Sequence, residues 1–241
     1  MTVADGTHRV TCVHRDRLHL RLMLALTFST GIADAVGYLG LDRVFTGNMT
    51  GNIVILGMAL AGADDLPVVG PLLAFATFLA GAALGGLVVR SEDVGWTGRT
   101  TVLFGVVGAL LVSISVALAV FDGGMPYGVQ LAVTGSLAGA MGLQAATARH
   151  LAVKEITTVV VTSAITGLAM DSRLVGGHGR HVRRRIAAIA LIGAGACAGA
   201  FLLQVHVAWG VGLAAAITLA VTVLGHTGGR TTTDGTSDGR P

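Results

Sequence analysis

Between Gly31 and Gly57 the chain reads GIADAVGYLGLDRVFTGNMTGNIVILG, apolar enough to enter a membrane yet broken by an acid and by small polar residues. The break itself is TGNMTG, Thr46 to Gly51, and its pattern returns 116 residues later as TSAITG, Thr162 to Gly167. Both copies keep Thr-x-x-x-Thr-Gly inside otherwise apolar sequence. A bilayer offers no water to backbone N–H and C=O groups, so polar or broken helix at depth is tolerated only where protein or a wet cavity surrounds it. The paired break is therefore the first candidate for a functional centre.

The composition around it sets the class. The 241 residues are 53% hydrophobic and 12% charged, and the mean hydropathy is +0.76, whereas ordinary soluble domains carry roughly 25% charged residues. This is the composition of a polytopic membrane protein, all-α, with its length divided among spans of about 20 residues. Cys12 lies in a polar N-terminal tail and Cys197 in an apolar run, so no disulfide framework is implied. The segment from Leu20 has basic flanks but contains Asp34 and no clear cleavage site, so it reads as a retained first span. The net charge of +3 does not point to nucleic acid, because the basic residues occupy short connections between apolar runs. The single Lys154 against 15 arginines, with 36 glycines, suits a GC-rich bacterial genome.

Eight apolar segments can be drawn, at about 19–40, 48–62, 67–89, 100–121, 126–148, 157–170, 186–205 and 207–225. The second and sixth are short for a full crossing, and they carry the two breaks. If all eight crossed with the N-terminus inside, Arg43, Arg90, Arg99, Arg149 and Lys154 would lie outside. If the two short segments are re-entrant, 15 of the 16 Lys and Arg lie inside and Arg43 alone outside, as the positive-inside rule prefers. Asp64, Asp65 and Asp122 then fall outside. Six crossings plus two short broken helices follow, and with three crossings per half the halves form an inverted repeat. Residues 1–17 and 226–241 are expected to be disordered cytoplasmic tails flanking one membrane domain over 18–225, with halves 18–121 and 126–225. Further matches support the duplication: GIADA (Gly31–Ala35) precedes the first break and GLQAA (Gly142–Ala146) the second, placing Asp34 opposite Gln144 with a one-residue gap.

The string quoted at the outset, followed later by GLQAA and ITG, resembles the YoaK family of bacterial multipass membrane proteins, whose function is unknown. The Asp-Ala, the Thr-Gly-Asn and the later Gly-x-Gln carry the resemblance, which covers residues 20–225. It implies a multipass membrane fold and no particular activity. The second break departs from the first in having Leu168 where the first has Asn52.

An Asp at the centre of a spanning helix costs roughly 2.5–3.5 kcal/mol on insertion scales, so Asp34 needs a partner or a proton. Thr50 or Asn48 is expected to cap the helix after the break and leave its first N–H groups free. In the functional reading, Asp34, Asn48, Thr50 and Asn52, with Gln144 and Thr166 from the second half, line a polar site at the repeat interface. In the plainer one, Asp34 braces the broken helix. Thr46, Thr162 and Ser163 read as packing residues, and the G-x-x-x-G pairs Gly81/Gly85, Gly135/Gly139 and Gly195/Gly199 as close helix contacts, with a homodimer as the alternative. Gln130 and Gln204 read as interfacial, Tyr127 and Trp209 as interfacial anchors. The run from Arg180 to Arg185 reads as a topology determinant, with lipid headgroup binding as its alternative.

His178 and His181 make an H-x-x-H with only Asp171 as a loose third ligand, so no metal is expected. There is no P-loop, G-x-S-x-G or H-E-x-x-H, so neither catalysis nor a cofactor is expected. The expectation is a bacterial inner-membrane transporter of a small polar solute or ion, with both termini cytoplasmic. A non-transporting scaffold or sensor that works through partners or lipids is the rival.

Overall fold

The structure, a computed structural model, describes residues 3–63, 65–92, 94–121, 125–151, 161–171 and 182–228, with side chains from residue 17 onward. Asp64, Asp122, Lys154, His178, Arg180 and His181, which figured in the sequence reading, lie outside the described residues. The described chain forms eight helices: α1 (Val3–Gly40), α2 (Met49–Leu60), α3 (Val69–Val89), α4 (Gly98–Ala119), α5 (Tyr127–His150), α6 (Val161–Met170), α7 (Val182–Leu203) and α8 (Val207–Gly228). Each falls on one of the eight apolar segments. α1 begins at Val3 and so runs through the segment read as a disordered tail; no proline interrupts it, and the helix of the first span simply propagates back. α8 likewise takes in residues 226–228.

Five helices are long and apolar enough to cross a membrane: Arg17–Gly40 of α1, α3, α4, α7 and α8. α5 has the length, at 24 residues, but carries buried Thr134, Gln144 and Thr147 and lies outside that set. α2 has 12 residues, about 18 Å at 1.5 Å per residue, too short for a core of about 30 Å; α6 has 10 described residues.

The directions of the long helices decide whether the short ones cross. α1 and α8 are antiparallel, with Leu18 against Gly228, Ser29 Oγ donating to the Ala214 carbonyl at 3.2 Å, and Val36 against Gly210. α4 and α8 are also antiparallel: Thr101 lies beside His226, Gly108 against Leu219, and Ser115 Oγ donates to the Ala208 carbonyl at 2.8 Å. α1 and α4 therefore point the same way, which requires one crossing between them. α3 supplies it and α2 does not cross. By the same parity α5 and α7 cross between α4 and α8, and α6 does not.

The centre of the bundle is apolar and drawn from α1, α4, α5 and α8, with Ile32, Val107, Leu111, Leu137, Met141, Val211 and Ala214 buried together. A second cluster around Leu22, Trp96, Phe104, Leu151 and Val221 closes the end where α1 enters the bundle and α8 finishes. Among the described residues, Arg43 is the one arginine at the opposite end; Arg17, Arg21, Arg90, Arg99, Arg149 and Arg183–Arg185 sit at the ends of helices that meet the end where α8 finishes.

The tightest glycine contacts with the backbone of a neighbouring helix occur in matched pairs. A Cβ on Gly31 would come within 2.2 Å of the Ile192 carbonyl oxygen of α7, and one on Gly142 within 2.0 Å of the Phe78 carbonyl oxygen of α3. Gly195 faces Phe28 O as Gly81 faces Gly139 O, and Gly199 faces Ile32 and Ala35 as Gly85 faces Leu143 and Ala146. Between α1 and α5 the match is a constant shift from Gly31 to Gly142, without a gap. It sets Asp34 opposite Ala145 and Gln144 opposite Ala33, which corrects the gapped pairing of Asp34 with Gln144. Glycines that admit a neighbouring backbone set the register, whereas the gapped pairing matched polar residues to each other.

Candidate functional site

The site begins with how α1 ends. The chain leaves it at the end opposite the close of α8 through Asp42 and Arg43, both at positive φ (63° and 57°), a conformation L-residues seldom adopt, least of all in succession. They turn the chain back along α1. The Arg43 guanidinium donates to the Asp65 carbonyl at 2.8 Å and ties this turn to the start of α3. The returning strand lies against Gly37, where a Cβ would come within 2.4 Å of the Val44 carbonyl oxygen and 2.8 Å of Thr46 Cγ2. Only glycine lets it approach so closely.

The strand delivers three consecutive peptide N–H groups to one carboxylate oxygen. Asp34 Oδ1 accepts from Thr46 at 3.0 Å, Gly47 at 2.6 Å and Asn48 at 3.3 Å. Hydrogen bonds to a charged group contribute roughly 1.5–3 kcal/mol each, so three of them exceed the roughly 2.5–3.5 kcal/mol cost of inserting an Asp. Asp34 therefore needs no ligand to persist in the membrane. All three N–H donors share Oδ1, and none of them uses the second oxygen, Oδ2. The Thr46 hydroxyl is buried and lies at the same carboxylate.

Asn48 caps α2, its side-chain oxygen accepting from the Gly51 N–H at 3.2 Å, which selects Asn48 over Thr50 of the two expected caps. Asn52 is buried and turned backwards. Its amide accepts from the Phe45 N–H at 2.9 Å and donates to the Phe45 carbonyl at 2.6 Å. It satisfies both polar groups of a residue in the return strand, and no neighbouring strand is there to do so.

A cavity of about 690 Å³ opens beside this brace. One wall is a stripe of α1, Thr30, Asp34 and Tyr38, each four residues from the next. Phe45 and Gly47 of the return strand form the second wall, with Asn48, Thr50, Gly51, Val54 and Ile55 of α2. Val161 and Thr162 at the start of α6, with Ile192 of α7, form the third. Tyr38 and Phe45 stack with ring centroids 4.9 Å apart. Thr30 lies near the midpoint of the Arg17–Gly40 span, and Asp34 about 9 Å below the Gly40 end at 1.5 Å per residue.

Of the six expected site residues, the structure brings Asp34, Asn48 and Thr50 to the cavity. Asn52 stands behind as a brace. Gln144 is buried one layer further back, its amide nitrogen donating to Thr30 Oγ1 at 3.3 Å while its oxygen has no partner. Thr166 is not part of the site: it is exposed and donates to the Thr162 carbonyl of its own helix at 3.0 Å. The second break contributes Thr162, which had read as packing. Thr30, Tyr38 and Phe45 were missed, although the four-residue spacing of Thr30 and Tyr38 from Asp34 marks one helix face. Among the described residues, no three His, Cys, Asp or Glu are grouped to hold a metal ion.

Length, helix directions and the buried polar break define a multipass helical membrane protein. Residues 22–224 match the family described as "Protein of unknown function (DUF1275)", and the chain belongs to that family. It is also similar to the UPF0700 transmembrane protein YoaK of Bacillus subtilis (strain 168), with 30% identity over 151 residues, 62% of this chain and 65% of that protein. The aligned stretch thus covers just under two thirds of that relative. No solved structure matches. The family resemblance carried by the Asp34 segment and the break is confirmed.

Proposed function

We propose that this protein is a transporter of a small polar solute or ion, with its site in the cavity between Asp34, the Thr46–Asn48 strand and the start of α6. The observation that carries this reading is the cavity itself. It reaches from the first break to the start of the helix that bears the second, and it lies against two helices that do not cross. Helix ends and irregular backbone belong, in a membrane, where they line such a space.

Three further inferences belong to the same reading. The matched contacts, together with three crossings per half, support reading the halves as an inverted repeat whose short helices approach one cavity from opposite ends. The arginine-rich end is the cytoplasmic one by the positive-inside rule, which puts both termini in the cytoplasm and the protein in a bacterial inner membrane. No enzymatic role is proposed, and neither cofactor nor nucleic acid is a partner in this account.

One observation favours the rival, a non-transporting scaffold or sensor: Asp34 Oδ1 and both ends of the Asn52 amide are used by the chain itself. Proteoliposome flux separates the two. Purified protein is tested with cationic, anionic and neutral small solutes, and a Thr162→Trp variant fills the cavity from the α6 side. Transport predicts flux above empty liposomes for at least one class and its loss in the variant. Flux indistinguishable from empty liposomes for all three classes removes the transport reading.

A further inference from the structure

The cavity carries its charge on one side only. Among the described residues, Asp34 is the sole Asp, Glu, Lys, Arg or His that lines it. The matching position in the second half is Ala145, so no second carboxylate or counter-ion comes from there. Three backbone N–H donors occupy Oδ1, which fixes the carboxylate in place and leaves Oδ2 without a backbone donor. One helical turn further on stands Tyr38, stacked with Phe45 of the adjoining wall at 4.9 Å, so two neighbouring walls present a carboxylate and two aromatic rings. The remaining polar lining, Thr30, Asn48, Thr50 and Thr162, is uncharged.

From this juxtaposition we propose that the cavity binds a monovalent organic cation, an ammonium of a few carbons, with Asp34 Oδ2 as its counter-ion and Tyr38 and Phe45 as its aromatic wall. The inference rests on the same cavity as the transport reading and names its ligand class. A single carboxylate balances one positive charge, and aromatic faces attract cations held within about 6 Å of the ring centroid. About 690 Å³ is the volume of a small-molecule site, which on the order of 300–1,000 Å³ typically serves. A proton or a bare alkali ion leaves most of it unfilled. An anionic solute would meet the Asp34 carboxylate with no cationic side chain among the described lining residues to offset it, and a polyamine would find one described countercharge for several of its own.

The test is equilibrium binding to the purified full chain in nanodiscs by calorimetry. The probes are choline and tetramethylammonium, the neutral choline isostere 3,3-dimethylbutan-1-ol, and acetate. The cations are expected to bind at least about tenfold more tightly than the neutral isostere, a difference that Asp34→Asn removes. Tyr38→Leu, which leaves the return strand and its donors intact, is expected to weaken cation binding about threefold and leave the isostere unaffected. Because the choline and isostere comparison is made on the unaltered protein, it stands even if Asp34→Asn folds poorly. Equal or tighter binding of the isostere or of acetate overturns the proposal, and so does no binding of either cation up to tens of millimolar. Cation binding without flux leaves the site standing and removes transport. Flux of a neutral or anionic solute without cation binding does the reverse.

Discussion

Three peptide N–H groups converge on one oxygen of Asp34, and the residue's first task is to hold the Thr46–Asn48 strand at that depth. Asp34→Asn keeps an acceptor oxygen, whereas Asp34→Ala leaves three donors unpaired. The alanine variant is therefore expected to be the less stable of the two, by on the order of 1–3 kcal/mol, measured by thermal or SDS unfolding followed by circular dichroism. Asn52→Ala strands the N–H and carbonyl of Phe45 and is expected to cost on the order of 2–4 kcal/mol in the same measurement. Little effect at position 52 would mean that the amide clamp is dispensable and would return Asn52 to the list of ligand-binding groups. The sequence identified these residues but could not divide their labour. An amide next to a helix break looks the same whether it faces a cavity, as Asn48 does, or turns back on its own chain, as Asn52 does. Gln144 was read as a ligand-facing group for the same reason. Its partner Thr30 is 114 residues away, and no spacing rule reports that contact.

The elements were more legible than the side chains. Hydrophobic run length located all eight helices, and the shortness of two of them marked α2 and α6 as the exceptions. What run length could not supply was which helix lies against which, since lipid and protein interior are equally apolar. The glycines answer that. Gly81, Gly195 and Gly199, from two of the three G-x-x-x-G pairs, sit at intrachain helix contacts where neighbouring backbone lies too close for a methyl group, and Gly85 sits where one would press on the Ala146 and Leu143 side chains at 3.0 and 3.1 Å. Gly193, on the same helix as Gly195, has nothing within 4 Å of where a Cβ would stand. Gly195→Ala is therefore expected to destabilise by about 1–3 kcal/mol through overpacking, since its Cβ would fall 2.1 Å from the Phe28 carbonyl oxygen. Gly193→Ala is expected to be neutral or slightly stabilising, because alanine is the better helix former. Gly142→Ala, at the matching α3–α5 contact, is expected to behave like Gly31→Ala at the α1–α7 contact. A large difference between those two would show that the halves do not share their packing.

At the scale of the whole molecule the question is how many times the chain crosses, and charge and geometry answer it separately. Charge counting prefers six because that arrangement leaves Arg43 alone on the far side. Geometry reaches six through the antiparallel pairing of α4 with α8 and of α1 with α8, which parity forbids if either short helix spans. The placement of charged residues and the relative direction of the long helices are separate physical properties, and both give six. Single-cysteine labelling in intact cells, in a background with Cys12 and Cys197 replaced, tests both. Ala63→Cys lies in the exposed connection after α2, and Thr227→Cys is exposed at the end of α8. With six crossings a membrane-impermeant maleimide reaches position 63 from outside and fails to reach 227 until the membrane is opened. With eight, both positions face the same side and both are protected together. Labelling of 63 alone is the expected result, and protection of both would mean that α2 spans and that the cavity beside Asp34 is not built from a half-depth helix.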